Sequence, residues 1–197
     1  MKISGFLKHS LSDYPGCVAA VVFTQGCNFN CPFCHNRWLI PKDSSKEYLS
    51  PREIITLLKE RKKLIDGVVI SGGEPTLQRG LKDFIRELKS MGYRIKLDTN
   101  GSRPEKIKDL LDQNLLDYIA MDIKAPFGKY LFLSGVNCNI NSIQKSIELI
   151  SQSHIPHQFR TSFYKKLLSQ KDLEEIKACL PPSSAYVIQP FRQIKDP

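Results

Sequence analysis

Val18-Ala19-Ala20-Val21-Val22-Phe23-Thr24-Gln25-Gly26-Cys27-Asn28-Phe29-Asn30-Cys31-Pro32-Phe33-Cys34-His35-Asn36 joins an unbroken apolar run to a loop that carries three cysteines. The run Val18 to Phe23 reads as a buried strand. A rigid element of that kind presents Cys27, Cys31 and Cys34 together at one rim, in the spacing Cys-x3-Cys-x2-Cys.

A structural zinc ion closes with four N or S ligands, whereas a cubane iron–sulfur cluster on three thiolates leaves one iron open to another molecule. His35 is a candidate fourth ligand for Cys3His zinc, but it adjoins Cys34, and neighbouring residues reach one tetrahedral ion with difficulty. Disulfides are the other reading. They fit poorly with an N-terminus that shows no signal-peptide pattern, which points to a cytoplasmic location. Cys17, Cys138 and Cys179 are scattered, and Cys17, at a strand start, and Cys179, in a helical stretch, read as packing residues rather than ligands.

Outward from the cysteine loop, short apolar runs alternate with helical periodicity, the signature of βα units around a parallel sheet. Strands are expected at Val18–Thr24, Gly67–Ser71, Tyr93–Asp98, Tyr118–Ile123, His157–Phe163 and Ala185–Gln189. Ser50-Pro51-Arg52-Glu53 opens a helix with a cap, a first-turn proline and a capping-box glutamate. Later helices carry the stripes Leu81, Phe84, Ile85, Leu88; Ile107, Leu110, Leu111; Ile143, Ile147, Ile150; and Leu173, Ile176, Leu180. About six βα units are too few to close an eight-stranded barrel. The 197 residues read as one domain, with the segment 1–16 leading into it.

In such architectures ligands gather at the carboxyl ends of the strands. One strand runs into Ser71-Gly72-Gly73-Glu74-Pro75, where Gly72 and Gly73 let backbone approach a ligand and the Glu74 carboxylate suits an ammonium group. An ordinary turn is the alternative. Two further strands end in Lys96-Leu97-Asp98-Thr99-Asn100-Gly101 and Asp122-Ile123-Lys124, collecting charge at the same edge. Asn100-Gly101 also suits a plain turn.

The cysteine triad with Phe33 just before the last cysteine resembles the radical S-adenosylmethionine (SAM) superfamily. The segment Phe23 to Asn36 looks more narrowly like the activating enzymes of glycyl radical proteins, and Gly5 to Gly16 is similar to the anaerobic ribonucleotide reductase activating proteins. The resemblance implies an α/β fold, a partial (βα)6 TIM-like barrel of the radical SAM type. It implies a [4Fe-4S] cluster on Cys27, Cys31 and Cys34 where SAM is reductively cleaved, the resulting radical taking a hydrogen from a partner glycyl radical enzyme, anaerobic ribonucleoside-triphosphate reductase. By the same resemblance Gly72, Gly73 and Glu74 hold the amino group of SAM, and Asn100 and Lys124 lie at the SAM site. Phe33 and His35 border its adenine or methionyl part, and Asn36 hydrogen-bonds near the cluster. In pyruvate formate-lyase activating enzymes, residues matching Asp98, Thr99 and Asp122 bind a monovalent cation. Asp13-Tyr14-Pro15-Gly16 resembles an activase segment whose aspartate contacts the glycine-bearing loop of the partner, although Tyr14 stands where that segment has glycine. An Asp-initiated turn is the alternative for Asp13.

The net charge is +9, from 29 Lys plus Arg against 20 Asp plus Glu. Lys59, Arg61, Lys62 and Lys63 fall on a helix whose apolar side is Ile54, Leu57, Leu58 and Ile65, which makes them a solvated face. No recognition-helix or ribonucleoprotein pattern is present, so nucleic acid is not expected. Docking of an acidic electron donor such as flavodoxin or ferredoxin, or solubility alone, accounts for the charge. No apolar run approaches the roughly 20 residues of a membrane span. Three classes stay open: an activase, of the reductase or the pyruvate formate-lyase type; a radical SAM enzyme acting on a small molecule such as a purine-related ring; and a non-enzymatic iron–sulfur or zinc protein.

Overall fold

The computed structural model describes residues 1–41 and 47–191. Seven strands form a single sheet in strict chain order. They are β1 (Ile3–Ser10), β2 (Ala19–Thr24), β3 (Gly67–Gly72), β4 (Arg94–Thr99), β5 (Tyr118–Asp122), β6 (His157–Phe163) and β7 (Ala185–Pro190). From β2 to β7 every pairing is parallel, and β1 joins antiparallel to β2. No pairing joins β7 to β1 among the described residues, so the six parallel strands form a partial barrel with an open side.

The connecting helices are α1 (Pro51–Glu60), α2 (Leu81–Ser90), α3 (Pro104–Asp112), the short α4 (Tyr130–Ser134), α5 (Ile140–Gln152) and α6 (Gln170–Ala178). Helix α1 starts where the capping box demands: Glu53 N donates to Ser50 Oγ (3.1 Å) and Ser50 N to Glu53 Oε2 (2.6 Å). It stops at Glu60, so Arg61, Lys62 and Lys63 lie in the turn beyond it rather than on its face. The apolar stripes pack inward as expected: Leu81, Phe84, Ile85 and Leu88 of α2 are all buried against the outer face of the sheet. Cys179, expected to pack, caps α6 and is exposed.

Strand β1 is absent from the sequence reading, which treats that segment as a lead-in. It is an edge strand, buried at Ile3 and Ser10 but open between them, and its partner is fixed by tertiary pairing.

The barrel interior has its own small core at the amino ends of the strands. Tyr14, Cys17, Ala19, Val21 and Val69 pack there with Phe23 and Tyr118. Tyr14 meets the Tyr118 ring edge-on at 5.7 Å. Gly67 leaves the room for it, since a Cβ there would stand 2.8 Å from Cys17 Sγ and 3.1 Å from Tyr14 Cδ1. Tyr14, the departure from the activase pattern, thus plugs the amino end of the barrel. The barrel interior is open toward the carboxyl ends of the strands.

Candidate functional site

A cavity of about 320 Å³ opens at those carboxyl ends. Residues from the ends of successive strands line it: Phe23 of β2, Ser71 of β3, Asp98 of β4, Asp122 of β5, Arg160 and Ser162 of β6, and Gln189 of β7. The strand pleat explains the selection, because alternate residues point to the same face. Every residue singled out from the sequence borders this one space: Asp13, Cys27, Cys31, Phe33, Cys34, His35, Asn36, Gly72, Gly73, Glu74, Asp98, Thr99, Asn100, Asp122 and Lys124.

The cysteine loop is anchored from several sides. Gly26 N donates to Leu39 O (2.8 Å) and Asn30 N to Ser134 O in α4 (2.8 Å). Buried Gln25 donates to Trp38 O and Pro41 O, and Arg37 donates to Cys31 O (3.0 Å). All three thiols are free, so the disulfide reading does not hold. Burial pushes the Cys27 thiol up to about 12, against the pull of the Phe29 N–H that it accepts. Burial also raises Cys31, with nearby Lys124 acting in the opposite direction.

Among the described residues no three His, Cys, Asp or Glu side chains stand close enough to share a single ion. A cubane asks for something different, one thiolate at each of three separate irons, and three free thiols around one cavity fit that donor set. The expected alternative of His35 as a fourth zinc ligand is not met, because its ring stacks on Phe191 with centroids 4.6 Å apart and planes at 8°. Tyr164 abuts the same Phe191 at 4.6 Å. His35 therefore joins an aromatic group at the cavity rim. Phe33 is buried in the lining with Phe23 and Phe29. Asn36 borders the cavity at the start of a short 3-10 turn.

The Gly72-Gly73-Glu74 segment borders the cavity and is also tied closely into the protein itself. Gly72 sits at φ +121°, where L side chains rarely go, and a Cβ on it would strike the Thr24 backbone. On Gly73 a Cβ would strike Gly26 O, the residue before Cys27. The two glycines thus admit the cysteine loop to close backbone contact, sealed by Gly73 N to Thr24 O (2.9 Å) and Glu74 N to Gly26 O (2.8 Å). Glu74 itself is 0% exposed. Its carboxylate accepts from Thr76 N (3.1 Å), Thr76 Oγ1 (2.5 Å), Thr99 Oγ1 (2.8 Å) and Asn100 N (2.7 Å). It is a strut tying the end of β3 to the end of β4. Burial drives its pKa upward while those donors pull the other way.

Asn100 extends the strut to the cysteine loop, donating to Asn28 Oδ1 (2.9 Å) with its amide 4.0 Å from Cys27 Sγ. Asn28 in turn donates to Ser102 Oγ (2.8 Å).

Around the residues expected to hold a cation, Asp98 and Asp122 are paired with cationic side chains. Arg160 Nε donates to Asp122 Oδ1 at 2.9 Å and Arg160 Nη1 reaches Asp98 Oδ2 at 3.5 Å. Lys124 Nζ binds Asp122 Oδ2 at 3.1 Å. Lys96, 1% exposed, pairs with Asp98 Oδ1, and Ser71 Oγ donates to Asp98 Oδ2 (3.2 Å). The Thr99 hydroxyl is turned to Glu74. Three cationic groups already surround two carboxylates, so a monovalent cation held by Asp98, Thr99 and Asp122 would add charge where the surplus is positive. Burial works to raise the Asp122 carboxyl, but Arg160 and Lys124 overcome it and hold it down at about 2. Arg160 was missed in the sequence. Its signal was the polar register Gln158, Arg160, Ser162, alternating with the buried Phe159 and Thr161.

Asp13 reaches this cavity from the loop after β1. Ser10 Oγ donates to Asp13 Oδ2 (2.6 Å) and accepts from Asp13 N (3.2 Å), so the segment is both a turn, as the alternative had it, and part of the lining.

Comparison with known proteins agrees with this geometry. The family model described as the Radical SAM superfamily matches residues 21–177. A Methanocaldococcus jannaschii protein named "Putative glycyl-radical enzyme activating enzyme" is 36% identical over 196 residues, covering 96% of this chain and 79% of its own. A second protein of that organism bearing the same name is 33% identical over 172 residues, and the chain spans 62% of it. Among solved structures, Streptococcus suis SuiB bound to precursor peptide SuiA superposes with a TM-score of 0.70 over 87% of this chain and 38% of that one, at 14% identity, a likeness of fold. No helix among the described residues is long and apolar enough to cross a membrane. The chain belongs to the radical SAM superfamily, and is thereby a radical SAM enzyme whose chemistry uses SAM and an iron–sulfur cluster.

Proposed function

We propose that this chain is an activase that installs a glycyl radical on a partner enzyme, anaerobic ribonucleoside-triphosphate reductase, by reductive cleavage of SAM at a [4Fe-4S] cluster. One observation carries the reading: the three cysteines, the charged strand ends and Asp13 line one cavity in a barrel with an open side. The two relatives named as glycyl-radical enzyme activating enzymes support it.

In this reading Cys27, Cys31 and Cys34 hold the cluster. When bound, the cluster and SAM together supply the electron transfer and the hydrogen-abstracting radical. The chain's own residues bind, orient and keep water out. Phe23, Phe29 and Phe33 give the cavity apolar walls where a reactive species must not meet solvent. The Lys124 ammonium and the backbone around Gly73 are the groups facing the SAM position, with Glu74 acting through Thr99 and Asn100 as a positioning residue. Asp13 has one carboxylate oxygen occupied by Ser10 and no protein donor on the other among the described residues, which suits backbone amides of an incoming loop. A glycine there exposes its α-hydrogen with no side chain in the way.

The basic surface, with Arg37 holding the cysteine loop, suits an acidic electron donor such as flavodoxin or ferredoxin. The test is anaerobic incubation with SAM, a reductant and the cognate reductase. A protein radical is expected whose electron paramagnetic resonance doublet collapses when glycine is deuterated. Asp13→Ala should lower that transfer more than it lowers SAM cleavage without the partner. Deuterium moving instead into a small metabolite, with no protein radical, would assign the chain to small-molecule chemistry.

A further inference from the structure

We infer that Arg160 is a built-in counter-ion that replaces the monovalent cation at the cofactor cavity, positioning the carboxylates of Asp98 and Asp122 so that the enzyme works without potassium or sodium. The inference rests on the radical SAM reading of the cavity but not on the identity of the partner.

The backbone puts Arg160 between the two carboxylates. Parallel pairing of β5 with β6 sets Asp122 directly beside Arg160, and Asp98 is the last residue but one of the next strand but one. The guanidinium spans the gap, Nε on Asp122 at 2.9 Å and Nη1 on Asp98 at 3.5 Å, with its side chain 12% exposed. Its planar fork is the shape that serves two carboxylates at once, which an ammonium or a spherical ion does less specifically.

Every other charged group at this place is also engaged, Lys96 with Asp98 and Lys124 with Asp122. A buried ion network of this size contributes little net stability compared with apolar packing. It is better explained by what it fixes: two like-charged strand ends held facing the cavity, and Lys124 held through Asp122. Without the guanidinium Asp98 would keep Lys96 and Asp122 would keep Lys124, but nothing would join the two carboxylates to each other, leaving Asp98 Oδ2 and Asp122 Oδ1 as a pair of oxygens that an added cation could bridge.

The experiment uses the cluster-loaded protein, with SAM affinity from equilibrium binding and the thermal midpoint measured side by side. Each is recorded with potassium, and with tetramethylammonium, too large for the gap, as the sole monovalent cation. Wild type should give the same SAM affinity in both within about twofold, because truncating nothing leaves the charge pairs intact. Arg160→Ala should lose about tenfold or more in tetramethylammonium, the expected consequence of removing one partner from buried charge pairs. Potassium or guanidinium should restore much of that loss and raise the midpoint of the alanine variant only, as ligands that bind the native state do. Arg160→Lys should stay insensitive to potassium, and it keeps the test alive should the alanine variant fail to fold. Potassium raising the affinity or the midpoint of wild type severalfold would overturn the inference, as would an alanine variant with full affinity in tetramethylammonium. A wild type that binds no SAM in either buffer counts against the radical SAM reading instead, while its midpoint still reports on the cation.

Discussion

Glu74→Ala separates two jobs that one carboxylate could have. If Glu74 mainly greets an ammonium group of a ligand, removing it weakens ligand binding and leaves the empty protein as stable as before. The structure gives it four protein donors and no exposure, so truncation should be felt without any ligand. The hydroxyls of Thr76 and Thr99 can rotate toward other acceptors, but the backbone N–H groups of Thr76 and Asn100 cannot. Each buried donor left unpaired costs about 1–3 kcal/mol, so two of them amount to about 4 kcal/mol. For a chain of this size, that loss lowers the melting temperature by about 8–16 °C. Glu74→Gln, which keeps the volume and one acceptor oxygen, should fall about halfway. The assay is anaerobic thermal unfolding by circular dichroism with SAM omitted. An alanine variant that melts within about 2 °C of wild type, less than 1 kcal/mol, yet binds SAM weakly would refute the strut and restore the ligand contact.

Further outcomes follow from the same contacts. Alanine at Cys27, Cys31 or Cys34 should each abolish cluster assembly by iron and sulfide analysis, whereas Cys138→Ala should leave it intact. Gly73→Val should lose the cluster together with SAM binding, since the new side chain strikes Gly26 beside Cys27; normal iron content with SAM binding alone lost would mean the glycine faces the cofactor after all. Tyr93→Phe removes a 2.7 Å bond to Leu58 O, but that carbonyl keeps Arg61 N as a donor. Its cost should therefore stay near about 1 kcal/mol, a melting shift of about 2–4 °C, and a much larger shift would mean the carbonyl is left unpaired.

The parallel strands were legible because a strand covered on both faces must be apolar almost throughout, as Val68, Val69 and Ile70 are, and the helices because their stripes recur at helical spacing. Edge strand β1 was not. Gly5, Lys8 and His9 interrupt its pattern, and only pairing with β2 makes it a strand. The five-residue α4 is too short to show a period. At the site, the strand-end rule named residues that the structure brings together around one cavity, because the topology sets the strand ends side by side. It could not say which partner each group would choose. Glu74 and Thr99 lie 25 positions apart and Arg160 and Asp98 lie 62 apart, so the strut and the built-in cation exist only once β3, β4 and β6 are in register. Likewise Tyr14, which stands where the activase segment has glycine, takes its place only through the fold, its ring packing on Tyr118 at the amino end of the barrel.

The central claim is that Cys27, Cys31 and Cys34 hold a cluster that cleaves SAM in this cavity, and its most direct measurement needs no partner. Protein reconstituted without oxygen should contain about four irons and four sulfides per chain. On reduction with dithionite in the presence of SAM it should slowly release 5′-deoxyadenosine and methionine. Stoichiometric zinc without sulfide, or a reduced cluster that releases no 5′-deoxyadenosine, would contradict it.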